Sequence, residues 1–199
     1  MQTTHAIVGM TIAAPIAALS PELAGIVLLA GLVGGAIPDL DLYKGHRRTL
    51  HFPVGYPVAA GIMAVTAVVA PTPASIALTV FLAAAAAHCL MDVFGGGLEL
   101  RPWEGRSDRA VYDHVRNRWI APRRWIRYDG SPEDLGIATA ATLPVLFVAD
   151  GQIATIAATL LGISAVYVVV RRRLPDLAAM IAARVPPAAR KWVPERYFE

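Results

Sequence analysis

Long apolar stretches constrain this chain more than any other feature. Six of them follow one another, at residues 6–19, 23–37, 54–70, 74–93, 135–149 and 153–170. The chain is 56% hydrophobic and only 17% charged, whereas soluble domains usually carry about a quarter charged residues. Because so apolar a chain is poorly suited to water, the pattern predicts an all-α, polytopic helical membrane bundle.

Short polar breaks indicate how these helices are connected. The breaks at 20–22, 71–73 and 150–152 contain proline or glycine and predict tight turns, so that six helices form three hairpins. Several stretches, the first and the fifth above all, are shorter than the roughly 20 residues that cross a hydrocarbon core. The alternative is four full crossings with a short interfacial or re-entrant hairpin. Gly31 and Gly35 predict close helix packing, with dimerisation as the alternative.

The basic residues predict the orientation in the membrane. All 18 Lys and Arg lie in three polar segments, at 44–48, 101–127 and 171–196. In the hairpin arrangement these segments share one side with the N-terminus, and the excess of basic residues in short loops predicts that this side is cytoplasmic. We therefore expect a multi-pass protein of the cell membrane, with both termini and the face that carries these polar segments in the cytoplasm.

The predicted organisation is a helical membrane domain at 1–173, interrupted by an interfacial polar loop at 95–133, and an amphipathic cytoplasmic tail at 174–199. Arginines in the loop and the tail alternate with aromatic residues. These are Trp103, Trp119 and Trp125 in the loop, and Trp192, Tyr197 and Phe198 in the tail. The combination predicts an amphipathic helix on the headgroups of membrane lipids. An RNA-binding loop is the alternative, but no nucleic acid is expected as a partner.

Carboxylates and histidines follow the second apolar stretch. Asp39, Asp41, His46 and His51 lie within thirteen residues. Carboxylate oxygen and imidazole nitrogen are ligands of Zn, Mn or Fe, and the single cysteine, Cys89, excludes a site built of thiolates. We expect the two aspartates to have different roles: one binds the ion, and the other orients a histidine or activates water. A loop of solvated charges is the alternative.

A second pair, His88 and Asp92, lies near the end of the fourth stretch. Side chains four residues apart share a helix face, and an ionisable pair in a spanning helix is unfavourable unless it faces a partner or a polar cavity. The alternative is a structural His88 held by Asp92.

His5 begins the first stretch on the same predicted side. The predicted metal ligands are His5, Asp39, Asp41, His46, His51, His88 and Asp92. The predicted cofactor is a divalent metal ion, Zn before Mn or Fe.

The order of these residues resembles that of a known family. The motifs are His5 at a helix start, Pro38-Asp39-x-Asp41, His46-Arg47 with His51, and His88-x-x-x-Asp92 followed by Gly95-Gly96-Gly97 and Arg101-Pro102-Trp103. Over roughly the first 105 residues they are similar to the YdjM-like family of membrane-bound metal-dependent hydrolases. The resemblance implies a metal-dependent hydrolase site in the inner membrane. It also implies a remote likeness to the zinc-dependent phospholipase C and nuclease fold, in which His-x-x-x-Asp supplies metal ligands. Thr49 and Phe52 depart from the family pattern His-Arg-x-x-Thr-His-Ser.

The predicted function is a membrane-bound metal-dependent hydrolase. In such an enzyme Asp39 or Asp41 acts as the base, and Arg47 holds a phosphate or carboxylate through its guanidinium. Alternatively, Arg47 is one of the basic residues that set the orientation of the chain in the membrane. A site at headgroup level favours a small-molecule or lipid substrate, above all a phosphoester in a lipid or lipid-linked substrate. A non-catalytic metal-binding membrane protein, for transport or partner binding, is the second hypothesis. Carboxylates at one membrane boundary favour the hydrolase.

Overall fold

The protein is a helical bundle in the computed structural model, which describes residues 2–43, 45–186 and 189. The α-helices in this part are α1 Gln2–Leu19, α2 Ala24–Ala36, α3 Gly55–Val69, α4 Pro73–Phe94, α5 Pro132–Val148, α6 Gly151–Val170 and α7 Leu174–Ala183. The strands described are β1 Val111–Asp113 and β2 Arg118–Ile120, which pair in antiparallel fashion. The 3-10 segments are Pro21–Leu23, Ile37–Tyr43, Pro102–Glu104 and Arg171–Arg173. The all-α bundle predicted from the apolar stretches is confirmed.

Four segments of the described chain are long and apolar enough to cross a membrane. They are Gln2–Leu19, Pro21–Leu42, Pro73–Phe94 and Gly151–Ala183. The first reaches this length because α1 begins at Gln2, four residues before the apolar stretch. The remaining helices, α3 with 15 residues and α5 with 17, are shorter. They pack against α4 and α6 respectively, so the two short helices belong to different hairpins.

Glycines bring the helices of the first two hairpins into close contact. A Cβ on Gly31 would collide with the backbone of Gly9, and a Cβ on Gly35 would collide with the backbone carbonyl of His5. Gly34 makes the same kind of contact with the backbone of Phe81 in α4. Small residues at such crossings let helix backbones approach, which strengthens dispersion contacts. The predicted packing role of Gly31 and Gly35 is therefore confirmed.

The polar segments lie together at one end of the bundle. The backbone N–H of Tyr112 donates to the Arg47 carbonyl at 3.0 Å, which joins the β-hairpin to the segment after α2. The Arg171 guanidinium contacts the Asp129 carboxylate at 3.0 Å, which joins the end of α6 to the loop before α5. The clustering agrees with the hairpin arrangement, and the cytoplasmic location of this end stays a prediction. Lys44 lies outside the described residues.

The predicted amphipathic helix in the 95–133 loop is wrong. Between α4 and α5 the described chain forms the β-hairpin and one short 3-10 turn. Three consecutive glycines at 95–97 and prolines at 102 and 122 disfavour a helix. Tyr112 opposes Trp119 across the two strands, a kind of aromatic pair that stabilises antiparallel strands. In the tail, α7 forms the expected helix, whereas the aromatic residues from 192 onwards lie outside the described residues.

Candidate metal centre

Three parts of the chain meet where α1, α2 and α4 come together at the polar end. His5 lies in the first turns of α1, and Asp39 lies in the 3-10 segment that continues α2. Gly35 has no side chain, so α1 packs directly on the backbone of α2 beside His5. The Gly35 carbonyl also accepts a hydrogen bond of 2.7 Å from His88 Nδ1. The packing of three helices therefore fixes the position of the histidine on α4.

Four side chains form a group that can hold a metal ion: Asp39, His51, His88 and Asp92. Each offers one ligand atom, and all four atoms lie within 4.8 Å of one another. His51 Nε2 is 3.1 Å from both His88 Nε2 and Asp92 Oδ2. His88 Nε2 is 3.5 Å from both Asp39 Oδ1 and Asp92 Oδ2. A tetrahedral ion with bonds of about 2.0–2.2 Å places its ligand atoms about 3.3–3.6 Å apart, so the group fits a small divalent ion.

The hydrogen bonds of the two histidines direct their Nε2 atoms toward an ion. His51 Nδ1 lies 3.0 Å from Asp41 Oδ2, and His88 Nδ1 binds a carbonyl. Each Nδ1 must donate to these acceptors, so in the neutral rings both Nε2 atoms carry lone pairs. Lone pairs 3.1 Å apart repel unless a proton or a metal cation lies between them. Burial lowers the pKa of His51, but the Asp41 and Asp92 carboxylates outweigh it, and the pKa lies above its ordinary value.

Asp41 organises the loop behind this group and is not one of its four members. Its side chain is almost fully buried. The carboxylate accepts hydrogen bonds from the backbone N–H groups of Arg47, Arg48 and Leu50 and from the rings of His46 and His51. It therefore holds the loop in place and orients His51, an arrangement that raises the basicity of a ligating histidine.

His46 and His5 lie beside the group. His46 binds Asp41 Oδ1 at 3.1 Å and stands 6.0 Å from His51 between ring centres, so its ring is held outside the four ligand atoms. His5 packs on His88 with ring centres 4.0 Å apart. Its Nδ1 and Nε2 face Asp39 Oδ2 at 3.9 Å and Asp92 Oδ1 at 3.8 Å. Four of the seven predicted ligands thus form the group, and the other three surround it.

The guanidinium of Arg47 already contacts other residues of the protein. Its Nη2 lies 3.2 Å from Asp92 Oδ1, and its Nη1 donates to the Gly96 carbonyl at 2.8 Å. These contacts offset the charge of Asp92 and connect the loop to the chain after α4. Arg47 Nε is buried and has no hydrogen-bond partner among the described residues. The phosphate-binding role of Arg47 stays a prediction.

A cavity of about 600 Å³ opens beside the group. His5, Asp39, Arg47 and Asp92 are among its lining residues, while His51 and His88 are not. Apolar side chains also line it, among them Leu42, Ile163, Leu174, Leu177 and Ile181. A second cavity of about 240 Å³ also borders Arg47 and Asp92 and is lined by apolar side chains from α4, α5 and the chain around Trp125. Residues at the centre thus border two partly apolar cavities.

A second polar group in the cavity wall was not predicted from the sequence. Tyr167 donates to Asp129 Oδ2 at 2.7 Å, and Arg171 Nε donates to the same oxygen at 3.1 Å. Burial raises the pKa of Asp129, but the Arg171 charge outweighs it and leaves the pKa below its usual range. One of these residues comes from a loop and the others from the end of α6. Their spacing in the sequence is not that of metal ligands, so the sequence gave no indication that they would form a group.

No protein-family model, no curated protein and no solved structure matches this chain. The candidate metal centre therefore rests on the geometry of its own residues, and the resemblance to the YdjM-like family stays a prediction.

Proposed function

We propose that this membrane protein is a metal-dependent hydrolase that acts on a phosphoester in a lipid or lipid-linked substrate. One observation carries the proposal: four ligand atoms with the spacing of a metal site lie next to a large cavity that is lined by both charged and apolar side chains. The charged side chains suit a phosphate, and the apolar ones suit a hydrocarbon chain.

The donor set fits Zn, with Mn or Fe as alternatives, because it combines two imidazoles with two carboxylates and contains no thiolate. Asp92 Oδ2 is buried without a hydrogen-bond partner among the described residues, and Arg47 contacts the other oxygen, Oδ1, so a cation beside Oδ2 would stabilise the buried carboxylate further. A bound divalent ion supplies Lewis acidity and lowers the pKa of water. The chain holds the ion with Asp39, His51, His88 and Asp92.

Residues at the cavity wall would provide the proton acceptor and the phosphate-binding group. Asp39 Oδ2 is the free oxygen of a carboxylate that remains 17% exposed, so Asp39 is better placed than the enclosed Asp41 to accept a proton. Asp41 acts by orienting His51. Arg47 lies in the same wall, where an incoming phosphate would compete with Asp92 for its guanidinium.

A non-catalytic metal protein is the second candidate, and one observation favours it. Four protein ligands close a tetrahedral site, which is typical of structural metal sites, whereas catalytic zinc usually keeps one open position. In that case the ion would stabilise the polar end of the bundle for transport or for binding a partner.

Metal analysis followed by a hydrolysis screen tests the proposal. The detergent-purified protein should contain a divalent metal, lose it to a chelator, and release product from phospholipid or polyprenyl-phosphate micelles only after metal is restored. His88→Ala should lose both metal and activity. His114→Ala is the matched control, because His114 lies on the β-hairpin and binds the Arg48 carbonyl instead. A wild-type protein that binds metal but cleaves none of these esters would favour the structural role, and one without metal affinity would refute both.

A further inference from the structure

We propose that the 600 Å³ cavity opens sideways into the membrane and takes one acyl chain of a bilayer lipid. The opening is bordered by aliphatic residues from the 3-10 segment after α2, from α6 and from α7: Leu42, Ile163, Leu177 and Ile181. The inference rests on the proposed function only in treating this lipid as the substrate, because a lipid can enter the cavity without being cleaved.

The exposure of the lining residues locates the opening. His5 and Asp92 line the cavity but are only 6% and 3% exposed, so lining the cavity does not by itself expose a residue. Four aliphatic lining residues are about half exposed: Leu42 by 42%, Ile163 by 50%, Leu177 by 45% and Ile181 by 57%. We infer that these four also face the outside of the bundle and mark the place where the cavity opens.

The position of these residues in the chain identifies the medium outside the opening. Ile163 belongs to the segment Gly151–Ala183, which is long and apolar enough to cross a membrane, and Leu42 ends another such segment, Pro21–Leu42. Exposing several large aliphatic side chains together to water is unfavourable. On segments that cross a membrane, the same side chains contact lipid tails. The opening therefore suits hydrocarbon better than water.

The depth of Ile163 supports the same conclusion. It precedes Arg171 by eight residues, which corresponds to about 12 Å along a helix at about 1.5 Å per residue. Arginines that flank a spanning helix lie at the lipid headgroups, so Ile163 lies on the hydrocarbon side of that boundary. Val166, between the two, is also exposed, as a residue in contact with lipid should be.

The volume of the cavity limits what can enter it. About 600 Å³ lies within the roughly 300–1,000 Å³ of pockets for drug-sized ligands, which is smaller than a whole two-chain lipid needs. A headgroup beside the charged residues and the first part of one chain can fit, and the rest of the hydrocarbon must stay outside. An apolar opening toward the membrane keeps that part among lipid tails. The ligand is therefore a lipid that remains partly in the bilayer.

Photolabelling from the lipid phase tests the inference. Full-length protein is reconstituted into vesicles of phosphatidylcholine and phosphatidylglycerol that contain a phosphatidylglycerol with a diazirine in one acyl chain. Labelled peptides are then mapped by mass spectrometry. Labels should appear on Leu98 and Pro175, which line the cavity but are half-buried and buried respectively, so that lipids around the bundle do not reach them.

A larger side chain at the opening should block this labelling. Ile163→Trp should therefore lose most of the label on Leu98 and Pro175. Ile156→Trp is the matched control, because Ile156 is exposed on the same helix seven residues earlier and does not line the cavity. It should label like wild type. Leu42→Trp narrows the opening from the other element, and it replaces Ile163→Trp if thermal unfolding shows that this variant is not folded.

Three results would overturn the inference: no label on Leu98 and Pro175 in wild type, full labelling in the folded Ile163 or Leu42 variant, or labelling of these residues by a water-soluble short-chain analogue but not by the bilayer lipid. The last result would show that ligands enter from water. The proposed function fails separately. Labelling of the cavity without ester hydrolysis would refute only the hydrolase, and hydrolysis of a water-soluble phosphoester without labelling would refute only the opening.

Discussion

Replacing Asp41 by asparagine tests how the loop positions His51. The asparagine can keep its carbonyl oxygen where Oδ2 accepts from Arg48, Leu50 and His51. Its amide then faces the backbone N–H of Arg47, which loses its acceptor. A hydrogen bond to a charged group contributes about 1 kcal/mol more than a neutral one, and a buried unpaired donor costs about 1–3 kcal/mol. With three such bonds weakened and one N–H left without an acceptor, we therefore expect Asp41→Asn to lower the free energy of unfolding by about 4–6 kcal/mol.

The same substitution should weaken metal binding by about 10- to 100-fold, the usual effect of losing a carboxylate behind a ligating histidine. Chelator competition on the detergent-purified protein gives the affinity, and equilibrium unfolding in mixed micelles gives the stability. Asp113→Asn is the control. Asp113 also accepts hydrogen bonds from two backbone N–H groups, those of Val115 and Arg116, but in the β-hairpin, so the ion affinity should not change. An unchanged affinity in Asp41→Asn would refute the idea that Asp41 orients His51.

Three further predictions concern packing, pH and topology. Gly31→Ala should lower stability by about 2–3 kcal/mol because its Cβ meets backbone, whereas Gly61→Ala has open space and should be neutral or slightly stabilising in unfolding assays. Since the pKa of Asp129 is lowered in the folded state, wild type should exceed Asp129→Asn in melting temperature above about pH 4, and the difference should vanish as pH falls through the folded pKa. A reporter fused after Arg127 should give a cytoplasmic signal, and an external signal would reject the topology.

The sequence predicted the helices well because apolar length is a local property. Each of the six apolar stretches became a helix, and the short breaks became the turns between them. The number of membrane crossings was harder to predict than the number of helices. Polar residues such as Gln2 and Thr3 extend α1 beyond its apolar stretch. The β-hairpin was missed because arginine next to tryptophan suggested a membrane-surface helix. The pairing of Tyr112 with Trp119 depends on a turn whose Asn117 adopts a positive φ of 52°, which composition does not reveal.

The sequence predicted which residue types form the site, but it did not predict the role of each residue. Helical spacing alone placed His88 and Asp92 on one face, and both belong to the four-atom group. The separate roles of Asp39 and Asp41 depend on a 3-10 segment and on which backbone N–H groups turn toward each carboxylate. That arrangement arises only when the loop closes on itself. The contacts of Arg47 with Asp92 and Gly96 are likewise set by tertiary structure.

The location of the group at a helix crossing has an energetic consequence. Gly35 lets α1 approach, and its backbone carbonyl orients His88, so the packing that stabilises the bundle also brings carboxylates together. Buried carboxylates repel, and Arg47, which contacts Asp92, offsets only part of their charge without an ion. If the group binds an ion as proposed, metal binding would therefore contribute to folding at this end of the bundle, by about 4 kcal/mol when the free ion is at a thousand times its dissociation constant. The bundle should melt at a lower temperature after chelation, and His88→Ala, which lacks a ligand, should not respond to the chelator.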